Sequence, residues 1–223
     1  MFAILSAGIA PVFALLSFFY LKDKVSEPLP LIIRTFIFGA LLVLPIMFLQ
    51  YAIVSTGIEH PIIQSFFVSA LLEEFFKWFI FIYVIYHHTE FNAHYDGIIY
   101  AVSISLGFAM VENILYLLSN GIEYAFTRAL FPVSSHALFG VIMGYHFGKA
   151  KIKKHYTIGN IILAFILPFT LHGTYNYILE TATNNWYYVL IPFMIVLWIM
   201  GLHRMKYANM NQNTEYHVFE KDA

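Results

Sequence analysis

The stretch Ser69-Ala70-Leu71-Leu72-Glu73-Glu74-Phe75-Phe76-Lys77-Trp78 decides how this chain is read. It lies in a run from about Ile62 to Tyr86 that is otherwise apolar and long enough to cross a bilayer. Two adjacent carboxylates and an ammonium occupy the middle of that run. On insertion scales a charged residue at the centre of a spanning helix costs roughly 2.5–3.5 kcal/mol, so three of them oppose insertion by about 8–10 kcal/mol before any partner helps. Ionisable residues at such depth point to function. A bundle-locking ion pair with Lys77 would account for one glutamate but not for two.

Composition supports a membrane reading. The chain has 223 residues, of which 60% are hydrophobic and 11% charged, where a soluble domain carries about 25% charged residues. The formal net charge of −1 gives no basic footprint for nucleic acid. Cysteine is absent, which removes disulfides, a thiolate nucleophile and cysteine-ligated zinc together. Any nucleophile must then be water, Ser or Thr, and any metal must be held by His, carboxylate or amide. The 23 Phe and 16 Tyr are explained by lipid contact and interface anchoring.

Working outward, the chain reads as an all-α membrane bundle of seven transmembrane helices. The expected spans are Phe2 to Tyr20, then about Ile33–Val54, Ile62–Tyr86, Gly97–Leu118, Leu130–Gly148, Ile158–Leu179 and Trp186–Leu202. The first has no preceding basic residue and is read as a retained span rather than a signal peptide. His87, His88, Glu90, His94 and Asp96 fall in a polar link, and Asn120 to Arg128 in a loop. A single membrane domain is expected over 1–205, with a short, mobile cytoplasmic tail over 206–223. With seven spans, all of the 12 lysines and arginines except Arg128 and intramembrane Lys77 lie on one side. That bias places the N-terminus outside and the C-terminus inside.

Depth groups the remaining polar residues. At about 1.5 Å rise per residue, Glu112 and His136 lie about 9 Å and His172 about 10 Å below the outer ends of their spans, with Glu73 and Glu74 about 17 Å down. Four helices thus deliver ionisable groups to the outer half of the bilayer. Glu73 and Glu74 stand i,i+4 and i,i+3 to Lys77, so either can reach the ammonium and leave the other as a base for water. On the fourth span Glu112 adjoins Asn113, and on its own it could be a packing residue. On the fifth, His136 lies one turn before Gly140 on a Gly140, Gly144, Gly148 seam that allows close helix packing. A lone membrane histidine is more often a helix-to-helix hydrogen bond than a ligand. Serine is a poor nucleophile candidate, because Ser134 and His136 diverge on a helix. On the sixth, His172 and Asn176 share a face just beyond Pro168, where they could donate to a developing oxyanion or cross-link helices. His87, His88, His94, His146, His155 and His203 are given no chemistry.

Glu73-Glu74-x-x-Lys77, Phe108-x-x-x-Glu112, His136-x-x-x-Gly140 and His172-x-x-x-Asn176, each on its own helix, resemble the PrsW family of intramembrane proteases. The resemblance extends to Glu27-Pro28-Leu29 and Arg34-Thr35-Phe36, and relates the chain to the prenyl-protein (CAAX) protease and bacteriocin-immunity group. In the CAAX proteases the second motif usually ends in His, and here it ends in Glu112. The resemblance implies a metallopeptidase of the bacterial cell membrane. It also implies site-1 cleavage of a membrane-bound anti-sigma factor near the extracytoplasmic face during a stress response.

The expected mechanism has Glu73 or Glu74 activating water, with Glu73 preferred as the base and Glu74 held by Lys77. His136, His172 and Glu112 hold a zinc ion or line the site, since two His and one carboxylate make a known catalytic zinc set. Asn176 bonds the oxyanion. A metal-free version, with His and Asn as oxyanion donors, is the close second. A proton-coupled transporter or channel is the rival from another class, although no pair of interrupted helices in related halves is visible. A non-catalytic scaffold using the glycine seam ranks last.

Overall fold

The computed structural model describes residues 1–152, 157–182, 184–210 and 212. Lys153, Lys154, His155 and Lys221, and the tail from 213, lie outside the described residues. Among the described residues the structure is helical, with no strand. The helices are α1 Phe2–Leu21, α2 Leu29–Val54, α3 Leu71–Phe81, α4 His94–Asn120, a short α5 Ala125–Arg128, α6 Ser134–Ile152, α7 Thr157–Thr181 and α8 Trp186–Met210. Six stretches are long and apolar enough to cross a membrane, one of them running from Ile122 through α6. The run that carries Glu73 is also helical, but composite. It is π-helical over Ile63–Ala70, α-helical through α3 and π-helical again over Ile82–Tyr86.

Helices α4 and α6 form the centre. Their contact rests on the glycine seam: a Cβ on Gly144 would stand 2.1 Å from the Gly97 carbonyl oxygen, and one on Gly97 would stand 2.4 Å from that of Gly144. Only hydrogen at these positions lets the two backbones meet. The inner part of α2 clamps to α4 in the same way, because a Cβ on Gly39 would stand 1.9 Å from the Ile104 carbonyl oxygen and one on Gly107 2.0 Å from that of Phe36. Helices α1, α2, α7 and α8 surround this pair and turn apolar side chains such as Phe13, Leu44, Phe48, Ile158 and Ile199 outward, as a lipid-facing surface requires.

The structure revises several expected boundaries. The polar link is shorter than expected, because α4 begins at His94. Asp96 is buried there and accepts from the backbone N–H groups of Asn92 (2.9 Å) and Ala93 (2.5 Å), capping the helix. The expected loop from Asn120 to Arg128 is mostly helical turns. Helix α8 continues past Leu202 to Met210, so the first part of the expected tail is helix. There Asn209 and Gln212 bond to the α1–α2 link, with Asn209 Nδ2 donating to the Lys22 carbonyl (3.0 Å) and the Lys24 N–H to Gln212 Oε1 (3.2 Å). Lys22, Lys24, Lys151 and the end of α8 therefore gather at one end of the bundle, with Arg128 at the other. Lys151 belongs there because its ammonium donates to the Tyr86 carbonyl at 2.9 Å.

Candidate active site

Helix α3 presents Glu73, Glu74 and Lys77 inward, and all three are buried. The Lys77 ammonium donates to Glu74 Oε1 at 2.8 Å and to Glu73 Oε2 at 3.5 Å. It also reaches His136 Nδ1 at 3.3 Å and lies 4.3 Å from the centre of the Phe108 ring. All three ammonium hydrogens are thus used, and the cation faces an aromatic π-cloud. Lys77 is tied mainly to Glu74, and Glu73 is the more loosely held carboxylate.

The partners of each imidazole fix its tautomer. His172 Nδ1 lies 2.9 Å from Glu74 Oε1 and donates to that carboxylate, so its Nε2 carries a lone pair, 3.9 Å from Glu73 Oε2. His136 Nε2 lies 2.9 Å from Glu112 Oε2 and donates there, so its Nδ1 lone pair faces Lys77. Both lone pairs therefore turn toward the glutamate pair. One ligand atom from each of Glu73, Glu74, His136 and His172 lies within 4.8 Å of the others. Among the described residues, buried Glu74 Oε2 has no hydrogen-bond partner. Two carboxylates, two imidazole lone pairs and an orphaned carboxylate oxygen suit a divalent metal. A cation bound there would compete with Lys77 for His136 Nδ1.

Glu112 stands outside this group, which revises the ligand set expected from sequence. It backs His136, and its other oxygen accepts from Arg128 Nη2 at 3.4 Å. Arg128 Nε donates to Asn113 Oδ1 at 2.9 Å, and the guanidinium stacks 4.1 Å from the Tyr116 ring centre. Sequence reasoning left Arg128 in a loop. Asn176 is also displaced from its expected place, because its Nδ2 donates to Ser69 Oγ at 2.8 Å and Ser69 in turn donates to Glu73 Oε1 at 3.2 Å. Gln50 Nε2 on α2 donates to that same oxygen at 3.2 Å. Ser69 and Gln50 were both missed. Ser69 precedes Glu73 by one turn, a spacing that could have revealed it; Gln50 is signalled only by being an amide in an apolar helix.

Two cavities flank Glu73. A polar one of about 500 Å³ is lined by Glu59, Gln64, Ser65, Ser69, Asn176 and Glu180. A narrower one of about 290 Å³ lies between α2 and α4, with Glu73 and Glu112 in its wall and Val43, Met47 and Leu115 beside them. The narrower cavity reaches Glu73 directly, and the polar one reaches it through Ser69.

Comparison with known proteins agrees with this geometry. A family model described as "PrsW family intramembrane metalloprotease" matches residues 27–200, and all four motif-bearing helices fall inside it. Proteins named Protease PrsW from Oceanobacillus iheyensis and Bacillus subtilis are 64% and 50% identical to this chain. The alignments cover 95% and 93% of this chain and 98% and 96% of those relatives. A Protease PrsW from Clostridioides difficile is 32% identical over 87% of the chain and 88% of its own length. No solved structure matches. With hydrolysis rather than transport the activity of its relatives, the chain belongs to the PrsW family of intramembrane metalloproteases and is a membrane-embedded peptidase.

Proposed function

We propose that this peptidase hydrolyses a peptide bond of a single-span membrane anti-sigma factor near the extracytoplasmic face, making the first cut of a stress response. It would act as a seven-span protein of the bacterial plasma membrane, with its N-terminus outside. The observation that carries the peptidase site is the meeting of Glu73, Glu74, His136 and His172 from three separate helical elements beside two cavities. The gathering of Lys22, Lys24 and Lys151 at the opposite end from Arg128 supports the orientation. The bacterial sources of the relatives support the location.

Glu73 is the general base. Lys77 neutralises Glu74, while Glu73 accepts only from neutral Ser69 and Gln50 and weakly from Lys77. It takes a proton from water as the water oxygen bonds to the scissile carbonyl carbon, then returns that proton to the amine as the C–N bond breaks. Asn176 orients Glu73 through Ser69. His172 and His136 hold their lone pairs inward, so neither donates to an oxyanion in this tautomer, which favours the metal-holding reading over the metal-free one. Glu74, through its unpartnered Oε2, with His136 and His172 would hold the metal, proposed to be zinc, and Glu73 beside them stays free as the base. When bound, such an ion makes water more acidic and polarises a carbonyl.

The test is co-expression with a tagged anti-sigma factor, comparing the wild-type protein with Glu73→Gln. Clipping on the extracytoplasmic side by wild type alone supports the assignment, and clipping by both ends it. Stoichiometric metal in the purified protein and inhibition by chelator are expected. Metal-free protein that cleaves at full rate would remove zinc from the mechanism.

A further inference from the structure

Helix α2 is built in two unlike halves. Its buried residues are Leu31, Ile32, Thr35, Phe36, Gly39, Val43 and Ile46. From Met47 to Val54 every residue is exposed or only half-buried. The inner half is fastened to α4 by the Gly39 and Gly107 contacts and by Ser103 Oγ, which donates to the Ile32 carbonyl at 2.8 Å. Pro45 stands at the junction. Its ring removes one helical hydrogen bond and favours bending there. Beyond it, the outer half closes the narrower cavity and bonds to the active site through Gln50 and Glu73 Oε1.

That cavity cannot take a helical peptide as it stands. One turn of helix, about 10 Å across and 5.4 Å high, fills about 400 Å³, against about 290 Å³ here. Its wall is nevertheless suited to a membrane peptide, with Val43, Met47 and Leu115 beside two carboxylates. The outer residues Leu44, Phe48 and Tyr51 face away from the protein, so a displaced α2 would still meet lipid. The polar cavity on the other side offers no comparable apolar wall.

We infer that the apolar segment of the substrate reaches Glu73 through the cavity between α2 and α4, and that the outer half of α2 swings about Pro45 to admit it. Gln50 couples the movement to chemistry, because it leaves Glu73 Oε1 when α2 moves and frees that oxygen for water. This inference rests on the peptidase reading above.

The absence of cysteine makes the test direct. Met47→Cys with Leu115→Cys spans the proposed gate, and Ser65→Cys with Glu180→Cys spans the polar cavity, where the native pair lies 2.8 Å apart. Each pair is bridged with a reducible bis-methanethiosulfonate and assayed in liposomes on the anti-sigma factor that wild type cleaves. Each is then reduced and assayed again, so every protein serves as its own folding control. Bridging Met47→Cys to Leu115→Cys is expected to lower cleavage about tenfold or more, with recovery on reduction. Bridging the second pair is expected to leave at least half the rate. Undiminished cleavage with the first pair bridged, or loss only with the second, overturns the inference while leaving the peptidase intact. Failure of the wild-type protein to cleave any membrane peptide would instead count against the peptidase reading.

Discussion

Buried and half-buried carboxylates occur at both ends of this bundle, in opposite company. At the active site Glu73, Glu74 and Glu112 meet Lys77, Arg128 and two imidazoles. At the basic end Glu27 accepts from Tyr100 Oη, its neighbour Asp96 accepts from two backbone N–H groups and meets the Glu27 carboxyl, and Asp23 accepts from Gln212 Nε2 at 2.5 Å. No cation bonds these three carboxylates among the described residues. Burial and the adjacent Asp96 carboxylate push Glu27 up to about 9, and burial pushes Asp23 up to about 6. Glu27 therefore keeps its proton at neutral pH and serves as a neutral hydrogen-bonding group joining the α1–α2 link to α4. The lesson is that depth and residue type do not make a catalytic carboxylate. Compensating charge, inward lone pairs and an adjoining cavity do, and only the α3 site has all three.

The largest effect expected from this contrast is on stability. Lys77→Met should destabilise the protein by about 3–5 kcal/mol, because it leaves the Glu74 charge buried without its partner. At about pH 4, where the Glu27 carboxyl keeps its proton in the folded and largely in the unfolded chain, Glu27→Gln should change stability by about 1 kcal/mol or less, since it replaces one neutral group with another. Thermal unfolding in detergent measures both, and equal losses would erase the distinction between the two ends.

Next in size is the orienting chain. Ser69→Ala and Asn176→Ala should each lower kcat about tenfold with little change in KM, because they loosen Glu73 without touching the peptide's apolar segment. The double variant should be no worse than about either single one, since both act through one hydrogen-bonded chain. A multiplicative loss would separate their roles.

The smallest effect, taken per pH unit, is the pH dependence of folding. A raised carboxyl pKa means that the folded protein binds more protons than the unfolded chain, so stability falls as pH rises. The fall begins above the ordinary carboxylate range and ends as pH passes the folded values, about 6 for Asp23 and about 9 for Glu27. Between pH 6 and 9 the wild type should therefore lose about 1 kcal/mol per pH unit or less relative to Glu27→Gln. Parallel melting curves for the two proteins across that range would contradict the assignment.

Much of this was legible in the sequence because membrane helices are written in long apolar runs and polar residues within them stand out. The convergence of α3, α4, α6 and α7 followed from depth alone, and the α4–α6 seam from glycine spacing. Depth does not give rotation about a helix axis. Glu112 was therefore placed among the ligands, when Arg128 and the far nitrogen of His136 hold it back from the group. Asn176 was aimed at the oxyanion when Ser69 intercepts it. Arg128 was misread because a helical turn of 4 residues is too short to show a helical period in sequence. The helical end of α8 was missed because its anchors, Asn209 and Gln212, bond to a link nearly the whole chain away.

The central claim is that the carboxylates of α3, and not buried carboxylates in general, perform hydrolysis. The most direct test reconstitutes wild type, Glu73→Gln, Glu74→Gln and Glu27→Gln in liposomes with one cleavable membrane peptide and compares initial rates for equally folded protein. The account predicts a loss of roughly 10²–10⁴-fold for Glu73→Gln and Glu74→Gln, with Glu27→Gln close to wild type. Substantial cleavage by both α3 variants, or an equal loss in Glu27→Gln, would contradict it.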